Sequence, residues 1–388
     1  MVRFGRNQVT AAGGAFLAIT LVVLLSAVNS SSNILFIILG VLAGMIAASL
    51  ALTWLGLRGL AVTRSLPDHV IAGEPAEIEY RIANRKRLWP TFALHITESS
   101  LDRPLSPTAF FVHIPARTAT QAFARLLAPR RGLLTLSGVE LSSSFPLGLQ
   151  VRYRHLSAPG QIVVYPRVGT LNRKVAVAYR EAVEAGTMTS NRRGGHDEFY
   201  GLREYRPGDN FRAIHWRSTA RTGELMVREL TANAPPQLIV VLNARTWREI
   251  GPGQTGREQV ERAIELAATI ACDGFLENFA VGLSIAGLDT QAPAPLMGRG
   301  ARAALLRRLA VLDVGRIRPD LPLPFPNRLA SRAEWVIVNL RRADPYKDLL
   351  AGSAASRATV LALDDPEAAE WIHFLSGADA ARLLREPA

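Results

Sequence analysis

Cysteine is nearly missing from this chain, with one residue, Cys272, in 388. A single thiol excludes an internal disulfide and a cysteine-built zinc cluster. Cys272 lies in an apolar run of helical period, which predicts a small buried hydrophobe. Acidic charge is also short, with 33 Asp and Glu against 45 Lys and Arg and a net charge of +12. A basic balance suits nucleic acid, an anionic membrane surface, or simple solubility. Internal repeats and low-complexity tracts are absent. Hydrophobic residues at 48% and charged residues at 20% exclude a disordered chain.

Charge of either sign, and histidine, are missing from Asn7 to Leu57. That run is too long for one membrane span of about 20 apolar residues. It breaks once, at Asn29-Ser30-Ser31-Ser32-Asn33. The expectation is a helical hairpin, with helices near Ala11–Val28 and Ile34–Leu57. Arg3 and Arg6 precede it, Arg58 and Arg64 follow it, and the connecting loop has no Lys or Arg. Positive flanks stay inside, so both ends are expected in the cytoplasm and the loop outside. A cleaved signal peptide is the rival reading of the first segment, and it leaves the soluble mass on the same side. Gly40, Gly44, Ala47, Ala48 and Ser49 give the second helix small residues suited to close helix packing.

Beyond Arg58, length allows about two soluble domains. Glu77–Ile82 and Phe92–Thr97 alternate polar and apolar, the period of a half-buried strand. Further short strands are expected at Leu133–Leu136, Val139–Leu141, Val151–His155 and Ile162–Tyr165. Turns are expected at Ala72–Pro75, Arg131-Gly132, Phe145–Gly148 and Ala158–Gly160. Short strands with turns between them predict a β-sandwich. In the last third, apolar strands at Gln237–Leu242, Val281–Ile285, Trp335–Leu340 and Thr359–Leu363 alternate with helices. The helices are expected at Arg257–Phe279, Ala301–Leu312 and Pro366–Leu384. This alternation predicts a parallel α/β sheet.

The stretch from Gly194 to Glu229 mixes charges, aromatics and glycines without a period. Asp209, His215 and Ser218 are the residue types of a hydrolytic triad, but no nucleophile elbow surrounds them. His196, Asp197, Glu198, Asp209 and His215 are metal-ligand types without helical ligand spacing. Eight Arg face six acidic residues from Asn191 to Glu229, a poor phosphate footprint. The favoured reading is a clasp of ion pairs, with Arg paired to carboxylates through its planar fork.

This segment resembles the signature of the bacterial family called domain of unknown function 58. The matching residues include Gly195, Asp197, Glu198, Phe199, Leu202, Arg203, Tyr205, Gly208, Asp209, Arg212, Ile214, His215, Trp216, Ser218, Ala220, Arg221 and Glu224. The paired N-terminal helices, Arg131-Gly132, Phe145–Leu149 and Val164–Arg167 are similar to features of its long membrane-bound members. The resemblance implies a C-terminal domain like von Willebrand factor type A. It also implies work beside MoxR-type AAA+ ATPases and membrane transglutaminase-like proteins. Such domains bind a divalent metal through Asp-x-Ser-x-Ser after their first strand. Here Asn243-Ala244-Arg245-Thr246-Trp247 stands there, with Arg245 and Trp247 in place of the serines. No metal and no cofactor are expected.

The expected architecture is therefore multidomain. A two-helix transmembrane hairpin takes residues 1–57 and an immunoglobulin-like β-sandwich takes 58–166. The signature segment, 167–232, docks on an α/β von Willebrand factor A-like domain over 233–388. The expected role is a membrane-anchored, cytoplasm-facing adaptor of the bacterial inner membrane, without enzymatic activity. Its interaction residues are Asp197, Glu198, Phe199, Arg203, Tyr205, Gly208, Asp209, Arg212, His215, Trp216, Ser218 and Arg221. The alternatives are an enzyme using Asp209 and His215, or a basic membrane-surface or nucleic-acid binder using Arg85-Lys86-Arg87 and Arg130-Arg131.

Overall fold

A computed structural model describes residues 3–4, 7–30, 32–100, 108–173, 177, 199–206, 211, 214–230, 235–250, 254–321, 333–342 and 358–374. The chain divides into two units, Met1–Tyr165 and Pro166–Ala388.

The first unit opens with two short strands, β1 (Arg3–Phe4) and β2 (Asn7–Val9), then two helices, α1 (Ala11–Ser30) and α2 (Asn33–Leu57). Both helices are long and apolar enough to cross a membrane. They lack a polar face, as a helix surrounded by hydrocarbon requires. Among the small residues of α2, Gly40 and Gly44 face open space, so close packing does not explain them within this chain.

Eight strands follow: β3 (Leu60–Ser65), β4 (His69–Ile71), β5 (Pro75–Asn84), β6 (Thr91–Ser100), β7 (Thr108–Ile114), β8 (Ala119–Leu127), β9 (Gly132–Ser143) and β10 (Gln150–Tyr165). One sheet runs β3-β5-β8. The other runs β1-β2-β10-β9-β6-β7, with β4 also paired to β10. The two share one core. Ile78, Tyr80, Ile82 and Leu126 come from the first sheet, and Leu94, Ile96, Leu136, Val139, Leu141 and Ile162 from the second. Alternate residues of each strand point inward, which is why period-two patterning marked these strands.

Two expectations are corrected here. The four short strands between Leu133 and Tyr165 are two long ones, β9 and β10. Ala158–Gly160 is not a turn but a bulge inside β10, where the pairing register with β9 shifts between Ser157 and Gly160. The bulge frees the Ala158 carbonyl from the ladder, and the Arg64 guanidinium takes it as an acceptor. Arg64 also pairs with Glu98, which accepts from the Tyr80 hydroxyl at 2.8 Å. The trio is buried, and burial and then the Glu98 charge push the Tyr80 hydroxyl above its ordinary range.

The end of α2 is tied to the sheets. The last carbonyls of a helix have no partner within it. Lys86 Nζ donates to Leu55 O (3.0 Å) and Gly56 O (2.8 Å). The Thr91 hydroxyl donates to Gly56 O (2.9 Å), and Arg154 Nη1 donates to Leu57 O (2.6 Å). Partial burial pulls the Lys86 ammonium down to about 8. Further back along the helix, the Thr53 hydroxyl donates to Phe145 O (2.7 Å). At the start of α1, the Thr10 hydroxyl donates to Gly148 O (2.6 Å), and a side chain at Gly13 would collide with the Leu149 carbonyl. Glycine at position 13 is thus what lets α1 meet the Phe145–Leu149 turn.

The second unit contains β11 (Gly169–Leu171), β12 (Phe199–Glu204), α3 (Trp216–Thr222), β13 (Met226–Leu230), β14 (Gln237–Asn243), α4 (Gln254–Leu276), β15 (Ala280–Ile285), α5 (Arg299–Val311), β16 (Glu334–Asn339), β17 (Ala358–Ala362) and β18 (Ile372–Phe374). Four strands form a parallel sheet in the order β15-β14-β16-β17. Every residue of β15 and β16 is buried, and most are apolar, as in a parallel strand covered on both faces. Gly274 of α4 lies against Leu238 and Val281 on one face of the sheet. The other face carries Ile239, Val241, Trp335 and Ile337 with Ala286, Ala292, Ala333 and Ala358. Cys272 is buried in α4, and burial pushes its thiol up to about 12.

The closing helix expected from Pro366 is also corrected. Ala368–Glu370 forms a single 3-10 turn, and β18 follows as a strand pairing with β11. Trp371 is buried at that junction and its carbonyl accepts from Asn172 N at 2.8 Å. Pairing with residues of the same chain some 200 positions away overrides the local helical tendency. Residues 375–384 lie outside the described residues.

Asp273 lies in the last turn of α4, four residues before Glu277 just past the helix end, and burial first and the Glu277 charge second push its carboxyl up to about 6. The folded state holds this proton more tightly than the unfolded chain. The resulting stability is full below about pH 4 and is lost as pH rises through 6. Asp273→Asn is expected to raise stability at pH 7 by on the order of 1 kcal/mol, solvent screening included, and to flatten the slope between pH 4 and 6. Thermal unfolding across that range checks it.

Candidate functional site

The described part of the signature segment is a hairpin with a helix set between its strands. β12 and β13 pair antiparallel, with Arg203 opposite Val227 and Glu204 opposite Met226. Tyr205 N donates to Leu225 O at 2.8 Å and extends the pairing. Ile214 bridges to Val227, and both are buried.

α3 is closed at both ends. His215 is its N-cap, and His215 Nδ1 accepts from Ser218 N at 3.3 Å. The same nitrogen lies 2.8 Å from Ser218 Oγ. His215 N donates to Met226 O (2.8 Å), and Thr219 Oγ1 accepts from Met226 N (3.0 Å), so the helix is stitched to β13. Gly223, at φ 80°, ends the helix in the left-handed conformation that favours glycine, and its N–H donates to Thr219 O at 2.9 Å. Arg221 stands exposed in the last turn, where a cation suits the carbonyl end of the dipole.

This framework displays two aromatics. Phe211 is 68% exposed and Trp216 is 66% exposed. Phe211 stacks on Tyr205 with centroids 5.5 Å apart. Aromatics held on a rigid support and left in water are the usual anchors of protein interfaces.

Of the expected interaction residues, the structure brings Tyr205, His215, Trp216, Ser218 and Arg221 into this one unit. Phe199 and Arg203 are placed on β12 by their backbone only. Asp197, Glu198, Gly208, Asp209 and Arg212 lie outside the described residues, as does His196. Of the triad types, His215 and Ser218 do meet, as a helix cap in which the imidazole nitrogen takes a backbone N–H. Among the described residues no group of three or more His, Cys, Asp or Glu clusters as a metal site would. Phe211 was missed in sequence reading because nothing local separates an exposed aromatic from a core one.

A second candidate lies at the carboxyl ends of the parallel strands. The connections from β14 and β16 depart in opposite directions along the sheet, which is where open α/β sheets form a binding crevice. Asn243 and Asn339 are register partners there, and Asn243 Nδ2 donates to Asn339 Oδ1 at 3.1 Å. Asn243 is buried, and its Oδ1 has no hydrogen-bond partner among the described residues. Arg245 turns its guanidinium onto the Pro319 carbonyl. Of Asn243, Arg245 and Trp247, only Asn243 carries a side-chain oxygen, a poor donor set for a divalent metal.

Among solved structures, the chain is similar to the sporulation control protein Spo0M from Bacillus subtilis. That alignment has 10% identity and a TM-score of 0.17, over 39% of this chain and 59% of that one. It is also similar to a GH20 exo-β-N-acetylglucosaminidase from Vibrio harveyi, crystallised with N-acetylglucosamine. There identity is 9% and the TM-score 0.17, over 72% of this chain and 57% of that one. The chain thus spans less than two thirds of either protein, and at that TM-score neither similarity describes its fold or activity. No curated protein matches. Residues 201–370, from the signature hairpin through the parallel sheet, match the family model described as Protein of unknown function DUF58, and that match supports membership of the family the signature segment resembles.

Proposed function

We propose that this protein is a membrane-anchored adaptor of the bacterial inner membrane. α1 and α2 cross the bilayer as a hairpin, and both soluble parts face the cytoplasm. Arg3, Arg6, Arg58 and Arg64 flank the hairpin and its connecting loop has no Lys or Arg, which supports that orientation. The sandwich is of immunoglobulin-like type, and the parallel sheet belongs to a von Willebrand factor A-like domain whose metal position is degenerate. The partners are a MoxR-type AAA+ ATPase and a membrane transglutaminase-like protein, in assembly or remodelling of an envelope complex.

The observation that carries this reading is the pair of exposed aromatics, Phe211 and Trp216, on a hairpin and helix closed at both ends. Co-purification of the full chain from mild detergent tests it. An AAA+ ATPase is the expected companion, and its absence under gentle conditions counts against the adaptor. Trp216→Ala with Phe211→Ala is expected to weaken that association by at least about 2 kcal/mol, roughly 30-fold in Kd. Unchanged binding would remove the two aromatics from the interface.

A second reading, a hydrolytic enzyme, is favoured by one observation, the 2.8 Å approach of His215 Nδ1 to Ser218 Oγ. Its test is a hydrolase screen of the full chain beside Ser218→Ala and His215→Ala. Activity lost in both, with folding intact, would establish it, and cellular function kept in both ends it.

A further inference from the structure

The helix ends meet the sandwich at a cleft, and the cleft is built of cations and aromatics. Its volume is about 550 Å³, and it is lined by Asn7, Trp54, Arg58, Arg152, Tyr153 and Arg154 among others. Three arginines converge on it, and the described lining residues include no carboxylate. Arg154 spends one nitrogen on the Leu57 carbonyl, at 2.6 Å. The Arg58 guanidinium lies over the Trp54 ring, 3.5 Å from its centroid. Arg152 lies on β10 opposite Asn7 of β2, so the wall of the cleft is sheet and not a loose loop.

The cleft stands at one level along α2. That helix has 25 residues, about 37 Å of rise, against a hydrocarbon core of about 30 Å. The excess length carries a helix end into the headgroup layer when the helix spans, and the last turn, from Trp54 to Leu57, is the end that holds tryptophan and borders arginine. Tryptophan and tyrosine are the aromatics that settle at this level.

The loops at the same end of the sandwich agree. Residues 85–90 join β5 to β6, and Lys86 in that loop donates to the last carbonyls of α2. Beside it, Leu88 is 79% exposed and Trp89 is 52% exposed. Asn84 Nδ2 donates to Trp89 O (3.1 Å) and Ile114 O (3.2 Å), which fixes this loop against the end of β7. The three loops at this end, 85–90, 115–118 and 144–149, hold Arg85, Lys86, Arg87 and Arg117 and no Asp or Glu. Exposed Leu and Trp directly after Arg85-Lys86-Arg87, beside the end of a membrane-length helix, have the chemistry of an interfacial contact.

We propose that this cleft binds the phosphate of an anionic phospholipid, with Arg58 and Arg152 on the phosphate oxygens and Leu88 and Trp89 seated in the adjoining lipid. Arginine suits a phosphate because its fork donates two parallel hydrogen bonds. The site would fasten the sandwich to the bilayer surface and hold it at a set height. It rests on the spanning reading of α1 and α2.

The full chain in mild detergent, offered phosphatidylglycerol and phosphatidylcholine together, tests the proposal by native mass spectrometry of the lipids retained. Wild type is expected to retain phosphatidylglycerol. Arg58→Gln with Arg152→Gln is expected to lose that preference at least tenfold, and Arg58→Lys with Arg152→Lys to keep a part of it by charge alone. Equal retention of both lipids by wild type overturns the proposal. So does a preference unchanged in the Gln pair. If excess inorganic phosphate abolishes the preference, the cleft is a free-phosphate site and the lipid assignment fails. A spin label at Val41→Cys, in a Cys272→Ala background and lipid nanodiscs, separates the two failures. A label reached by water overturns the spanning reading itself. A label reached by oxygen alone, with a non-selective cleft, overturns only the cleft.

Discussion

Arg64→Met is expected to lower the stability of the Met1–Tyr165 unit by about 3–5 kcal/mol. Arg64 and Glu98 form a buried pair, with side chains only 6% and 0% exposed. Glu98 also takes the Tyr80 hydroxyl at 2.8 Å, and Arg64 reaches the carbonyl freed by the β10 bulge. Removing the cation leaves a carboxylate in the core with no opposite charge, and that residual charge is the costly part. The pair itself is worth far less than its halves, because two charges had to leave water to form it. Arg64→Met combined with Glu98→Met should therefore recover most of the loss. Denaturant unfolding in detergent, read on the single and double variants, measures both. A double variant no better than Arg64→Met alone would show that the bulge carbonyl, and not the charge, sets the cost.

Trp335→Ala is expected to cost about 3–5 kcal/mol, from the other unit and by a different mechanism. Trp335 is among the largest fully buried side chains, at 1% exposure. It lies on the sheet face that carries Ile239, Val241 and Ile337, opposite Ile239 of β14. Its other neighbours in that core include Ala286, Ala292, Ala333 and Ala358. Alanines have no reach with which to fill the space the indole leaves, so the cavity persists and the cost falls toward the top of the range. Trp335→Phe should retain a good part of the stability, since an aromatic ring still occupies the site. Thermal unfolding of the two variants checks the order, and equal loss in both would mean that the indole is held for a reason other than volume.

How much of this was legible in the sequence depended on the kind of signal. The two apolar helices were plain from Asn7 onward, and α1 and α2 begin and end within a few residues of the expected positions. The parallel strands were equally plain, because a strand buried on both faces carries a continuous apolar run, as Leu238–Leu242 and Trp335–Val338 do. Alternation marked β5 and β6 for the same reason applied to one face. The failures lie where pairing with a distant segment decides. Ala158-Pro159-Gly160 has turn chemistry, yet β9 holds it in a ladder and makes it a bulge. Ile372–Phe374 reads as helix, yet Gly169–Leu171 offers it an edge. Of the candidate site, the residue types around His215 were visible, but their use as a cap for α3 was not. Nothing in the sequence sets Phe211 and Trp216 apart as exposed.

The sequence by itself determined the elements whose cause is local. A length of apolar chain, a period of two or of 3.6, and a glycine needed at a helix end all act within a few residues. Only the tertiary structure decided what those elements do to one another. It set Lys86, Thr91 and Arg154 on the last carbonyls of α2, Asn243 against Asn339, and Arg64 against Glu98. Each of these joins residues 30 or more positions apart. The physical reason is the same in all three. A buried carbonyl, amide or charge must find a partner, and which partner it finds depends on how sheets and helices come together, not on its neighbours in the chain.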